Sequence, residues 1–114
     1  MGKGLDAVPY RRYVVPLHAT TVIQVKYVLF YDAAPDFRAK VPAHIQAHRA
    51  LWGALQADGR LLMIGPFADE PAGGAMGVFT TRSAAEEFVR LDPFVTSGII
   101  ARWTIREWNE ALVP

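Results

Sequence analysis

The sequence predicts an α+β fold in which a four-stranded antiparallel sheet carries two helices on one face. Three observations support this prediction. Four short segments have the β-branched and aromatic content of strands, and two longer segments repeat their apolar residues at the spacing of a helix. These segments follow one another in the order β-α-β-β-α-β, which is the order of the split, ferredoxin-like motif.

Composition is typical of one globular domain, because 52% of the 114 residues are hydrophobic and 20% are charged. Twelve basic and 11 acidic residues give a formal net charge of +1, so we expect neither a nucleic acid nor a membrane as partner. Cysteine is absent, which excludes disulfides, thiolate metal ligands and a cysteine nucleophile. No apolar run is long enough to cross a bilayer and no secretory signal is visible, so we expect a cytoplasmic protein.

Residues 1–24 show no sustained hydrophobic period. A short strand over Tyr13 to Leu17 is conceivable there, but Pro16 would confine it to a sheet edge. We therefore divide the chain into a flexible N-terminal extension, residues 1–24, and a folded domain, residues 25–114. A start-site artefact and an arm that clasps a partner subunit are the alternatives.

The first half of the domain is predicted to be a strand, a long helix and a strand. Val25 to Tyr31 is apolar on both faces and rich in β-branched and aromatic residues. Val41 to Ala57 forms the helix, with Pro42 in its first turn and Gly59 as its left-handed C-terminal stop. Its apolar face consists of Val41, His44, Ile45, His48, Leu51, Trp52 and Leu55.

The second half continues with strands at Leu61 to Phe67 and Ala75 to Thr80. Ser83 and Glu86 form a capping box that opens a second helix, which ends near Leu91. A short helical turn follows Asp92. The last strand, Ile99 to Glu107, alternates, with Ile99, Ala101, Trp103 and Ile105 on one face and Ile100, Arg102, Thr104 and Arg106 on the other.

The strands keep apolar residues on both faces, although the helices cover only one face. The other face would expose a large apolar patch, and such a patch usually marks an interface. We therefore predict a homodimer that packs these faces together. The competing explanation is that the N-terminal segment covers this face.

The most informative candidates for chemistry are His48 and Asp92. In the predicted motif the C-terminal end of the second helix lies beside the N-terminal half of the first, which brings these two residues together. A carboxylate beside an imidazole fixes its tautomer and raises its basicity, so His48 is the candidate general acid or base and Asp92 its orienting partner. The plainer interpretations are an Asp-Pro helix cap and a histidine satisfied within the core.

His44 and His48 have the i, i+4 spacing of zinc-binding helices. Ile45 stands where a zinc protease carries its catalytic glutamate, and zinc usually needs three protein ligands. We therefore predict no metal site and no cofactor.

The predicted pocket lies between the helices and the sheet and binds a small organic molecule. A cofactor-independent enzyme that carries out an elimination or isomerisation is one interpretation, and a non-catalytic ligand-binding or interaction module is the other. The expected lining consists of Tyr27, Trp52, Met63, Phe67 and Phe94.

The segments PAHIQAHRALWGALQADGRLLMIGPF, GAMGVFTTRSAAEEFV, DPFVTSGII and WTIREWNEAL resemble the YCII-related (YciI-like) family. The resemblance runs from about Val25 to Leu112. It implies the dimeric α+β barrel fold, a homodimer, and a catalytic His–Asp dyad at His48 and Asp92. It also implies a substrate-binding role for His44. Some relatives are linked to dehydrochlorination or lactone chemistry on products of aromatic degradation.

Overall fold

The computed structural model describes residues 24–69 and 73–112. The expectations for the N-terminal extension, including the edge strand over Tyr13 to Leu17, lie outside the described residues. The chain divides into a compact unit, Val25–Trp108, and a smaller unit to which Gln24 and residues 109–112 belong. Within the smaller unit, the backbone N–H of Glu110 donates to the carbonyl oxygen of Gln24 at 2.9 Å.

The four strands form one sheet in the spatial order β2-β3-β1-β4. The neighbours β1 and β3 pair antiparallel, and so do β2 and β3. This order confirms the predicted ferredoxin-like arrangement. The elements are β1 (Val25–Ala33), α1 (Phe37–Ala57), β2 (Leu61–Pro66), β3 (Ala75–Phe79), α2 (Arg82–Leu91), α3 (Pro93–Thr96) and β4 (Ile100–Asn109).

The core lies between one face of the sheet and the helices. In β1, Leu29 and Tyr31 point to this face, and they pair in register with Gly77 and Ala75 of β3. The remaining buried members come from both helices and the sheet: Leu55, Leu61, Phe79, Ala84, Ala85, Phe88 and Val89. Burial of this apolar surface is the main term that holds the helices on the sheet.

A β-bulge in β2 reverses which residues face the core. Leu61 pairs with Phe79 and Met63 with Val78, so Leu62 is an extra residue on this strand. A strict two-residue repeat would place Leu61 and Met63 on the same face. The extra residue instead turns Ile64 toward the core and leaves Met63 on the opposite face, 61% exposed.

The first helix begins earlier than the sequence predicts. It starts at Phe37 rather than Val41, so Pro42 lies inside the helix and not in its first turn. Pro42 is exposed, and an interrupted helical hydrogen bond on the solvent side distorts the core least. The predicted stop is confirmed: Gly59 has a φ of +83°, and the N–H groups of Gly59 and Arg60 donate to the carbonyls of Gln56 and Leu55.

Two further expectations need correction. The N-cap of α2 is Thr81 and not Ser83, because the Thr81 hydroxyl accepts from the N–H of Ala84 at 3.1 Å. The alternation of β4 is not strict, because Ile100 and Ile105 both pack against the core although a two-residue repeat places them on opposite faces.

We predict that Thr81→Ala lowers the free energy of unfolding by about 1 kcal/mol, since it removes a side-chain cap from the N-terminus of α2. Ser83→Ala is the matched control, because Ser83 is exposed and does not cap the helix. Urea unfolding of both variants measures the difference. If Ser83→Ala lost as much free energy of unfolding or more, Ser83 would be the N-cap, as the sequence predicts.

Candidate functional site

Asp92 lies between two helices because of the proline that follows it. Its backbone is extended (φ −69°, ψ 119°), which is the conformation that a residue before proline favours. Its N–H donates to the carbonyl of Phe88 and completes α2, while Pro93 opens α3. One residue is therefore both the end of one helix and the N-cap of the next.

The Asp92 side chain is fully buried and takes part in three hydrogen bonds. Its Oδ1 accepts from the backbone N–H of Phe94 at 3.0 Å and lies 2.8 Å from Nδ1 of His48. Its Oδ2 accepts from the hydroxyl of Tyr31 at 2.6 Å. A buried carboxylate requires such partners, because each lone pair left without a donor carries a desolvation cost.

These contacts join three parts of the fold. Tyr31 comes from the helix-facing side of β1, His48 from the middle of α1, and Asp92 from the junction of α2 and α3. The sequence predicts the contact between His48 and Asp92, and that contact is present. The predicted capping role of Asp92 is also present, so this residue both caps α3 and contacts His48.

The imidazole of His48 is held on its flat face as well as at Nδ1. The Phe94 ring stacks on it with 3.8 Å between centroids and 2° between planes. The Phe88 ring meets it edge-on at 6.0 Å. A side chain fixed on two sides cannot turn freely, and such preorganisation is what proton transfer at a defined place requires.

The imidazole also borders an open cavity of about 370 Å³ between the helices and the sheet. His48 keeps 11% of its side-chain surface exposed, while Asp92 behind it keeps none. The cavity is mostly apolar, with a lining that includes Leu29, Phe37, Val41, Ile45, Trp52, Ile64, Phe67, Phe94, Ile99 and Ile100. Titratable side chains among the described lining residues are Tyr31, His48 and Arg49, and Arg49 is exposed.

Trp52, Phe67 and Phe94 line the cavity as predicted, but three other predicted pocket residues lie elsewhere. Met63 is turned to the opposite face of the sheet by the bulge at Leu62. Tyr27 shares a face with Tyr31 but lies toward the other end of β1, where the Arg82 guanidinium stands 5.4 Å from its ring centroid. His44, one turn before His48 on α1, is not among the residues that line the cavity.

Sequence reasoning missed Tyr31 and Arg49. Tyr31 stands at the last position predicted for the first strand, on the same face as Leu29, so its direction was readable from the alternation. Its hydroxyl partner was not readable, because Asp92 lies 61 positions away in the chain. Arg49 follows His48 directly, and only the packed helix shows that it borders the same cavity.

Burial raises the pKa of the Tyr31 hydroxyl far above its usual range, and the negative charge of Asp92 and the hydrogen bond to it act in the same direction. Tyr31 therefore stays a hydrogen-bond donor. Since the backbone N–H of Phe94 can only donate as well, Asp92 acts as an acceptor on both oxygens. An ionised Asp92 accepts from His48 as well, and in that arrangement the imidazole hydrogen lies on Nδ1 and the lone pair on Nε2.

No cluster of three His, Asp or Glu side chains suited to a metal ion occurs among residues 24–69 and 73–112. Across the same residues, no helix has the length and apolar character to span a bilayer.

Comparisons with known proteins identify the family. The YCII-related domain matches residues 25–109, so the chain belongs to that family. It is 37% identical over 66 residues to the uncharacterized protein YjpA of Bacillus subtilis (strain 168), a match that covers 58% of this chain and 76% of the relative.

Solved structures share the fold at low sequence identity. The 5-chloro-2-hydroxyhydroquinone dehydrochlorinase from Burkholderia phenoliruptrix AC1100, solved with 2,5-dihydroxybenzoquinone, has a TM-score of 0.61 and 18% identity, covering 73% of this chain and 92% of that one. A conserved protein from Methanosarcina mazei Go1 has a TM-score of 0.50 and 12% identity, covering 81% and 97%. The predicted fold class, α+β with a ferredoxin-like antiparallel sheet, is confirmed.

The raised pKa of Tyr31 predicts a loss of stability in alkali. Below the ordinary tyrosine pKa of about 10, folded and unfolded chains both keep the proton; above it the unfolded chain releases the proton first. The free energy of unfolding should then fall by up to about 1.4 kcal/mol per pH unit through this group. Tyr31→Phe removes this dependence.

Urea unfolding at about pH 9 and about pH 11 tests the sign, because these values lie on either side of the ordinary tyrosine pKa. The stability advantage of wild type over Tyr31→Phe should shrink between the two. Tyr27→Phe, on the same face of the same strand, controls for the loss of a tyrosine. An advantage that stays constant or grows would contradict the prediction.

Proposed function

We propose that this YCII-related protein is an enzyme that transfers protons on a small organic molecule, with His48 as general acid or base and Asp92 as its orienting partner. One observation carries the proposal: His48 is hydrogen-bonded to a buried carboxylate and at the same time borders an open cavity. A histidine that served only to tie α1 to the rest of the fold would not need access to a cavity.

The two ring nitrogens of His48 have different partners. Nδ1 is occupied by Asp92, so Nε2 is the nitrogen that can meet a ligand. The carboxylate stabilises the imidazolium that forms when Nε2 takes a proton, and the Phe94 stack holds the ring in place. The proton can return to another atom of the same molecule, which is an isomerisation, or a leaving group can depart, which is an elimination.

The cavity favours a flat, mainly apolar ligand with few polar groups. Its volume suits a small molecule, and the rings of Trp52, Phe67 and Phe94 would pack against an unsaturated ring. Arg49 offers a positive charge near His48 to an oxygen that bears negative charge. The Burkholderia structure holds 2,5-dihydroxybenzoquinone, a flat oxygenated ring of this kind. No step in this scheme calls for a cofactor.

We predict that wild type accelerates exchange of the ring hydrogens of 2,5-dihydroxybenzoquinone, or of cyclic 1,3-diketones of similar size, with deuterium from D₂O. Such exchange requires a base to remove a proton and an acid to return one. His48→Gln should lower the protein-dependent rate by about 100-fold or more, the usual contribution of a general acid–base group. Proton NMR follows the exchange directly.

His44→Gln is the matched control, because it changes the same residue type one turn earlier on α1, outside the cavity lining. Its rate should equal that of wild type. A His48→Gln rate close to wild type would contradict the proposal. Binding of the probes without exchange by wild type would favour the ligand-binding module instead.

A homodimer is part of the same proposal. On the sheet face away from the helices, Val28 and Val78 are buried, Phe30 is half-buried and Met63 is 61% exposed. The exposed side chain of Met63 favours association, and a second copy presents the same side chain on the same face.

Met63→Glu should therefore convert a dimer into a monomer at the same protein concentration, because a carboxylate cannot be buried cheaply in an apolar interface. Size-exclusion chromatography with light scattering gives the mass. Leu91→Glu is the control, since Leu91 is 47% exposed on α2 and not on the sheet. A monomeric wild type would overturn the dimer, and a chain shortened by residues 1–23 would then test whether that segment covers the face.

A further inference from the structure

We propose that Tyr31 is a positioning residue that keeps Asp92 a hydrogen-bond acceptor and thereby holds His48 in the tautomer whose Nε2 lone pair faces the cavity. This inference deepens the proposed function and rests on it in one respect: the presented lone pair is useful only if His48 exchanges protons with a ligand. The hydrogen-bond pattern itself exists without any ligand.

Tyr31 is the hydrogen-bond partner of Asp92 Oδ2, the carboxylate oxygen that does not contact His48. Asp92 Oδ1 is shared by the Phe94 N–H and by His48, whereas Oδ2 has the Tyr31 hydroxyl as its hydrogen-bond partner at 2.6 Å. The carboxylate is fully buried, so water cannot replace this donor without a rearrangement. The short distance is typical of a hydroxyl that donates to an ionised oxygen.

Without the Tyr31 hydroxyl, the Oδ2 oxygen of Asp92 lacks its hydrogen-bond donor, and a different arrangement of protons becomes favourable. Asp92 without the Tyr31 hydroxyl can take up a proton, and as a neutral acid it can donate to Nδ1 of His48. The imidazole hydrogen would then reside on Nε2, and the cavity would meet an N–H donor in place of a lone pair. Asp92 gains one proton from solvent and the ring hydrogen moves from Nδ1 to Nε2, while the heavy atoms remain in place.

The other described groups around the imidazole do not determine which ring nitrogen of His48 carries the hydrogen. Asp92 faces Nδ1 from the junction of α2 and α3, and α3 and α2 otherwise present the uncharged rings of Phe94 and Phe88. On α1, Arg49 borders the same cavity but carries no acceptor. The described lining residues from β2 and β3 are apolar or glycine. The high pKa of the Tyr31 hydroxyl, raised mainly by burial, keeps it a donor throughout the neutral range.

Nitrogen-15 NMR of the histidine ring nitrogens in the ligand-free protein tests the proposal. The measurement is made at about pH 9, above the usual histidine range and below that of tyrosine. In wild type we expect a protonated Nδ1 and a bare Nε2 at His48. In Tyr31→Phe we expect the pattern to reverse or to become a mixture, and in Tyr27→Phe to match wild type.

A wild-type His48 with its hydrogen on Nε2 would overturn the proposal, and this measurement needs no variant. A Tyr31→Phe protein that keeps the wild-type pattern would also overturn it, and any loss of melting temperature would then mark Tyr31 as a packing residue. Because no ligand is present, these outcomes are independent of whether the protein catalyses exchange. A reversed tautomer together with unchanged exchange in His48→Gln would uphold the role of Tyr31 and refute the proposed function.

Discussion

The structure of the site depends on one buried carboxylate. Asp92 has no exposure to solvent, and its charge is tolerated because β1, α1 and the start of α3 each supply a donor. Removing a single partner from a buried charge is costly, since the remaining oxygen cannot turn to water. The position of the two helix segments relative to β1 is therefore fixed by hydrogen bonds as well as by apolar packing.

The same constraint links stability to chemistry. A carboxylate that accepts from Tyr31 and from the Phe94 N–H lies in hydrogen-bond contact with Nδ1 of His48, and a ring stacked on Phe94 has a defined direction. The mostly apolar walls of the cavity next to it strengthen charge interactions by lowering the local dielectric. If His48 and Asp92 served only to tie the helices together, His48 would not need to border a cavity. The position of His48 at the cavity therefore favours the enzyme over the binding module.

Two local features of the backbone determine which side chains line the cavity. The bulge at Leu62 directs Ile64 into the cavity and Met63 away from it, so the strand contributes to two different surfaces. Gly74, with a φ of +99°, carries the chain against the carbonyl of Tyr31, where a Cβ would lie only 2.7 Å from that oxygen. The cavity wall beside Tyr31 can approach this closely because that position has no side chain.

The sequence by itself determined the order of the elements, the apolar stripe of α1 with His48 in it, and the meeting of His48 with Asp92. These follow from local periods, from the Asp-Pro pair and from the topology that the element order allows. Only the tertiary structure decided that Tyr31 completes the site, that Thr81 caps α2, and that Met63, Tyr27 and His44 stay outside the cavity. The reason is physical: periodicity assigns a residue to a face, whereas hydrogen-bond partners distant in sequence, an extra residue in a strand, and the extent of a cavity along that face are set by how the elements pack.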